Sequence, residues 1–294
     1  MPDKFSATWI SYSRLKDFQT CPRAFYLKNL YKDPQTGRKL QLMTPALALG
    51  QVVHQVLESL SKLKAKDRFK VSLIKRLDQL WPNIAGKKGG FSSLSQEQAY
   101  RRRGEKMLQK VMDDPGPLAN LAIKIKHDLP QFWLSEADEI ILTGKIDWLE
   151  YLPDLDAVHI IDFKTSRRIK EAKDSLQLPI YYLLVKNTQH RQVAKISYWY
   201  LDIDSKPSER QLPDLDKAKE EILTLAKKIK TATKLGEAAF KCPHGAEGCY
   251  ACRPFEAILR GEAELVGQGQ YGKDVYILPN QDELGDVELN SEII

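Results

Sequence analysis

Two apolar, β-branched segments, residues 140–151 and 158–165, flank the turn Leu152-Pro153-Asp154-Leu155-Asp156. Strand-like runs joined by a short polar turn predict a β-hairpin. The second run passes from His159-Ile160-Ile161 into Asp162-Phe163-Lys164. Alternate strand residues share a face, so Asp162 and Lys164 emerge together at the end of an otherwise apolar strand. Burying a charge is costly unless it is paired or metal-bound, and the pair therefore marks a candidate site. Alone, the triplet Asp-x-Lys is weak, because it is common as a surface pair. Gly144-Lys145-Ile146-Asp147 on the preceding strand strengthens it. Antiparallel pairing brings Asp147 toward Asp162, and two close carboxylates repel until a divalent cation lies between them. Oxygen ligands select hard ions, Mg²⁺ or Mn²⁺.

The remaining chain reads as helices around this hairpin. Residues 11–31 predict one helix, capped by Ser11 and striped by Leu15, Phe18, Phe25 and Leu30. A second begins near Pro45 and carries Leu49, Val52, Val53, Val56 and Leu57. Residues 61–135 look like a helical insertion, interrupted at Trp81-Pro82 and by a glycine-rich turn at 86–90. Helix is expected again over 174–186 and 216–234, with a third strand over 195–202. The expected fold class is α/β: a small mixed sheet flanked by helices, carrying Asp147, Asp162 and Lys164. Arg101-Arg102-Arg103 offers either a strand-tracking basic face or plain helix surface. Tyr198, Trp199 and Tyr200 read as sheet core.

The 294 residues, 43% hydrophobic, suffice for one sizeable domain or two small ones. No apolar run is long enough to span a bilayer and no leader-like h-region is present, so no membrane role and a cytoplasmic location are expected. The total charge of +6 is uneven. Residues 262–294 hold eight acids against the single base Lys273, a net of −7 that leaves +13 on residues 1–261. One domain body at 1–261 and an acidic, disordered tail at 262–294 are expected. The basic body suits a polyanion such as nucleic acid, or is simply a lysine-rich solvated surface; charge alone does not choose.

With these residues in place, the chain resembles the RecB-like branch of the PD-(D/E)XK nuclease superfamily. The Gly144–Asp147 and Ile160-Ile161-Asp162-Phe163-Lys164-Thr165 segments look like its catalytic core. Gln177-Leu178-Pro179-Ile180-Tyr181 matches its Gln-x-x-x-Tyr helix, and Gly50-Gln51-Val52-Val53-His54 its Gly-x-x-x-His helix. The N-terminal Ser11-Tyr12-Ser13, Leu15, Phe18 and Cys21-Pro22 match as well. The resemblance implies a restriction-endonuclease-like fold and metal-assisted hydrolysis of DNA phosphodiesters. It implies His54, Asp147 and Asp162 as metal ligands, with Lys164 orienting the attacking water or steadying the developing charge. Gln177 and Tyr181 are implied to position the phosphate backbone. Glu58, one helical turn beyond His54, reads either as a group that orients it or as surface. An exonuclease acting on single strands or duplex ends is expected, with a helicase as a candidate partner. The alternatives are a non-catalytic nucleic-acid-binding subunit of a helicase–nuclease complex and a zinc-stabilised scaffold. The complete Asp147, Asp162 and Lys164 set argues against the first.

Cys21, Cys242, Cys249 and Cys252 are the four cysteines, three of them within eleven residues. Grouped cysteines in a reducing compartment point to thiolate-bound metal rather than disulfides. Cys21-Pro22 resembles the first ligand position of iron–sulfur RecB-like nucleases such as the AddB-type and CRISPR-adaptation enzymes. That resemblance implies a 4Fe–4S cluster tying residue 21 to residues 242–252. Those relatives place a cysteine after the Cys-x-x-Cys pair, whereas here Cys242 precedes it, which leaves room for zinc.

Overall fold

The computed structural model describes residues 3–124, 129–169, 175–269 and 272–279. In chain order the elements are β1 (Thr8–Ile10), α1 (Tyr12–Thr20), α2 (Pro22–Asn29), β2 (Leu40–Leu42), α3 (Pro45–Ser59), α4 (Leu73–Leu80), α5 (Leu94–Asp113), β3 (Gln131–Ser135), β4 (Ile140–Thr143), β5 (Trp148–Leu152), β6 (Ala157–Lys164), α6 (Gln177–Thr188), β7 (Gln192–Tyr200), β8 (Ser208–Arg210), α7 (Leu215–Leu235), α8 (Arg253–Leu259), β9 (Glu264–Gln268) and β10 (Asp274–Ile277). They form three small sheets, ordered β1-β4-β3, β2-β10-β9 and β5-β6-β7-β8. The architecture is the α/β, restriction-endonuclease-like one.

The four-stranded sheet is the platform. β5 and β6 pair antiparallel as the expected hairpin, and β6 pairs parallel with β7 through the α6 crossover. Both faces are covered, which explains why β6 reads as an almost continuous apolar run. Leu149, Val158 and Ile160 pack with Ile180 and Leu184 of α6 and Ile222 of α7. On the other face Trp148, Ile161, Phe163 and Trp199 pack with Val52 and Val53 of α3 and Met107 of α5. Burial of Ile161 and Phe163 contributes about 1.5–3 kcal/mol each. Tyr198 and Tyr200 are core, as expected.

A polar row crosses the second face. His159 Nδ1 lies 2.8 Å from Glu150 and its Nε2 2.7 Å from Ser197 Oγ, while Asn120 donates to Glu150 at 2.6 Å. These buried groups satisfy one another. They do not line the cleft described below.

Several expectations need correction. Residues 11–31 make two helices, because Cys21 is extended and caps α2, with Pro22 in the first helical turn. Residues 140–151 divide between two sheets. The chain leaves β4 at Gly144, where a Cβ would come within 2.9 Å of the Leu184 side chain. The insertion is helical only as far as Ala119, and Gln131–Ser135 is a strand paired with β4. Helix α6 starts at Gln177; Asp174, the expected start, lies outside the described residues. The expected disordered tail contributes two strands, Glu264–Gln268 and Asp274–Ile277: β10 pairs parallel with β2 and antiparallel with β9. Residues 280–294 lie outside the described residues. Among the described residues, no helix is long and apolar enough to cross a membrane.

Candidate active site and cysteine centre

The hairpin register sets the first part of the site. Trp148 pairs with Ile161, so Asp147 and Asp162 stand opposite each other one step further along. Asp147 is fixed by accepting the Phe163 N–H at 2.8 Å. Helix α3 begins at Thr44, whose side chain caps it, and its apolar stripe lies against β6. Gly50 keeps that approach close, since a Cβ there would meet Thr165 Oγ1 at 3.3 Å. One turn later His54 Nδ1 lies 3.2 Å from Asp147 Oδ1. A further turn along, Glu58 is held by Lys145 at 2.7 Å. One ligand atom each from His54, Glu58 and Asp147 lie within 4.8 Å of one another.

Asp162 is differently placed. Its Oδ2 lies 2.8 Å from the Lys164 ammonium, and Lys164 also donates to Gln177 Oε1 at 2.7 Å. Gln177 Nε2 donates to Asp162 Oδ1 at 2.9 Å and to the Tyr181 hydroxyl at 3.2 Å. The structure thus brings His54, Asp147, Asp162, Lys164, Gln177 and Tyr181 into one neighbourhood. The converging nitrogen-and-oxygen set, however, is His54, Glu58 and Asp147, with Asp162 beside it. The i, i+4 spacing of His54 and Glu58 was the signal for Glu58.

Electrostatics within the group are strongly coupled. Burial opposes a charge on His54, but Asp147 beside it, with Asp162 and Glu58 further off, raises its pKa to about 9. Burial alone would raise Asp147; His54, the Phe163 N–H and Lys164 together hold it below the usual carboxylate range. Glu58 is pushed up by burial and by Asp147, with Lys145 opposing. This mutual repulsion and borrowed protonation is what a divalent cation would relieve.

These groups line a cleft of about 1230 Å³. Its walls carry lysines 16, 28, 62, 88, 145 and 273 among others, more cations than carboxylates, which suits a polyanion. Arg101 and Arg103 do not line it. Arg101 pairs with Asp78 and Glu105, while Arg103 is buried against Asp202 and the Thr165 carbonyl.

The four cysteines converge as expected. Their sulfurs lie within 4.8 Å of one another, with Cys249 and Cys252 at 3.8 Å. Gly248, at φ +74°, turns the chain into the Cys-x-x-Cys loop, and a Cβ there would press on Cys252 Sγ at 3.0 Å. Burial raises the Cys21 thiol. Burial also works against a charge on Cys249, yet backbone N–H groups of Cys252 and Ala251 hold its pKa down. A closed set of four thiolates fits a metal centre. A single tetrahedral ion with sulfurs about 2.3 Å away places them roughly 3.8 Å apart.

Across residues 9–254 the sequence matches the model of a family described as the PD-(D/E)XK nuclease superfamily. Comparison with curated proteins finds no match. Among solved structures, a candidate exonuclease from Eubacterium rectale is 16% identical, with 84% of this chain and 88% of that chain covered at a TM-score of 0.47.

Proposed function

The chain belongs to the PD-(D/E)XK nuclease superfamily, and from that premise we propose that it is a divalent-metal-dependent deoxyribonuclease, an exonuclease acting on single strands or duplex ends. The observation that carries this reading is the packing of His54, Glu58 and Asp147 beside the Asp162–Lys164–Gln177 group in one basic cleft. His54, Asp147 and Asp162 would hold Mg²⁺ or Mn²⁺, with Glu58 as a further oxygen donor. The ion would polarise the scissile phosphate and acidify a bound water. Lys164 orients that water and steadies charge gathering on the phosphate oxygens. Gln177 holds Lys164 and Asp162 in their relative positions, and Tyr181 supports Gln177 while facing the backbone of the strand. A helicase partner working in the cytoplasm would supply single strands to such a cleft.

The four cysteines would hold a structural centre. The resemblance to iron–sulfur relatives favours a 4Fe–4S cluster. Four converging thiolates also fit zinc, which accepts a four-cysteine site. Iron, sulfide and zinc analysis of anaerobically purified protein decides between them.

The function is tested by digestion of linear, circular, single- and double-stranded DNA with Mn²⁺, Mg²⁺ or EDTA. Metal-dependent loss of linear DNA is expected, abolished in Asp162→Ala and Lys164→Ala while DNA binding persists. Full activity in either variant, or equal activity in EDTA, overturns the reading.

A further inference from the structure

Two lysine–carboxylate pairs stand in the group around His54 and Asp147, and they are not alike. Lys164 is shared between Asp162 at 2.8 Å and Gln177 at 2.7 Å, and its side chain is 17% exposed beside an Asp162 that is 3% exposed. Lys145 meets Glu58 at 2.7 Å, with the two side chains 33% and 24% exposed. Among the described residues, Glu58 is the one partner of the Lys145 ammonium.

The backbone under Lys145 is fixed while its ammonium is not. Gly144, where a Cβ would meet Leu184 at 2.9 Å, sets the segment against α6, and its N–H donates to the Pro130 carbonyl at 3.3 Å. Ile146 packs with the apolar cluster on that side. Asp147 is pinned by the Phe163 N–H. A flexible four-carbon stem on an anchored backbone lets the ammonium change partners without moving the chain. Lys145 and Glu58 both line the cleft, as do His54, Asp147, Asp162 and Lys164.

Charge balance gives the outer pair a task. Glu58, Asp147 and Asp162 against Lys145 and Lys164 are three carboxylates and two ammoniums, a sum of −1 with the imidazole neutral. A divalent cation turns that sum to +1, and one phosphodiester returns it to zero. An ion pair between partly exposed side chains is weak, so Glu58 passes from the ammonium to the ion at little cost. We propose that Lys145 is a further catalytic residue whose partner changes: Glu58 in the metal-free protein, and a non-bridging oxygen of the bound phosphate once a divalent cation has taken the Glu58 carboxylate. Only ionic contacts are exchanged; no covalent bond forms or breaks. Metal and phosphate then raise each other's affinity by the same factor, as linkage requires. That the phosphate belongs to DNA rests on the nuclease reading; the exchange at Glu58 does not.

The experiment is calorimetric titration with thymidine 5′-monophosphate, which has no diester to cleave, in EDTA and in saturating Mn²⁺. The wild type should bind it at least about tenfold more tightly with Mn²⁺, within the usual range of coupling between sites. Lys145→Met keeps the stem and loses the ammonium. It should cost about tenfold in Mn²⁺, the order of a lost charge-assisted hydrogen bond, and less than about twofold in EDTA, where Glu58 already occupies the ammonium. Lys145→Arg should restore most of the loss. Glu58→Gln releases the ammonium without metal and should tighten binding in EDTA, a gain that Lys145→Met should cancel in the double variant. Equal losses in EDTA and Mn²⁺, no loss in Mn²⁺, or no metal-dependent binding by the wild type overturns the exchange. The Lys145-dependent pattern in a protein that neither binds nor cleaves DNA leaves the exchange standing and removes the nuclease reading. DNA cleavage by the wild type, with Lys145→Met binding the nucleotide as the wild type does, has the opposite meaning.

Discussion

His54 Nδ1 lies 3.2 Å from Asp147 Oδ1, and the carboxylate keeps the imidazole protonated up to about pH 9 in the metal-free protein. The unfolded chain releases that proton near pH 6.5. A folded pKa above the unfolded one contributes stability that is complete below about 6.5 and is lost as pH rises through about 9. In EDTA, the urea midpoint should therefore fall between pH 6.5 and 9.5, and His54→Gln should flatten that fall. An identical decline in the variant would show that other groups are responsible. Since the ion competes with the same proton, Mn²⁺ affinity should rise across this window.

Glu58 should weigh as much in metal binding as the aspartates do. Its carboxylate converges with His54 and Asp147, whereas Asp162 is shared with Lys164 and Gln177. Glu58→Gln is expected to weaken Mn²⁺ binding by 10- to 100-fold, on the order seen when a metal's supporting groups are removed. Calorimetry on both Glu58→Gln and Asp162→Asn checks this. Unchanged affinity in Glu58→Gln would return that residue to a role of merely fixing Lys145.

Gln177 is fully buried and bridges Lys164 to Asp162. Gln177→Ala releases both groups, and misplacement of about 1 Å costs about 10²-fold. The loss should appear in kcat, with KM and Mn²⁺ affinity little altered. A rise in KM alone would mean that Gln177 only holds substrate.

Cys249→Ser should remove the metal from the cysteine centre and lower the melting temperature by roughly 10 °C, equivalent to several kcal/mol for a domain of this size. Metal analysis together with a melting curve measures both. A variant that melts like the wild type would mean that the sulfurs pack without a metal.

A chain ending at residue 261 lacks β9 and β10. It exposes β2 and with it Leu40 and Leu42, which pack beside Cys21 and Phe255. Such a chain should aggregate or melt far earlier than one ending at residue 279. Comparable melting of the two would show that the last sheet is dispensable.

The hairpin and its Asp-x-Lys end were legible because strand alternation and one short turn determine them locally. The Gln177–Tyr181 and Gly50–His54 helices were legible for the same reason, each being a spacing along one element. What escaped was set at a distance. The division of residues 140–151 depends on Leu184 crowding Gly144, and no local pattern announces that contact. β9 and β10 were hidden by acidic composition; Val275 and Ile277 are buried only because β2 and α3 stand against them. The pairing of β2 with β10 depends on a strand register spanning most of the chain.

That register also sets an order of assembly. Loop closure between Leu40 and Asp274 is among the longest the fold must make, and contacts of such separation form late. During synthesis His54, Asp147 and Asp162 leave the ribosome well before Lys273 does. A half-made chain therefore carries these three residues in a cleft still open on one side, and the groove is walled only when the final strand slides into place beside β2.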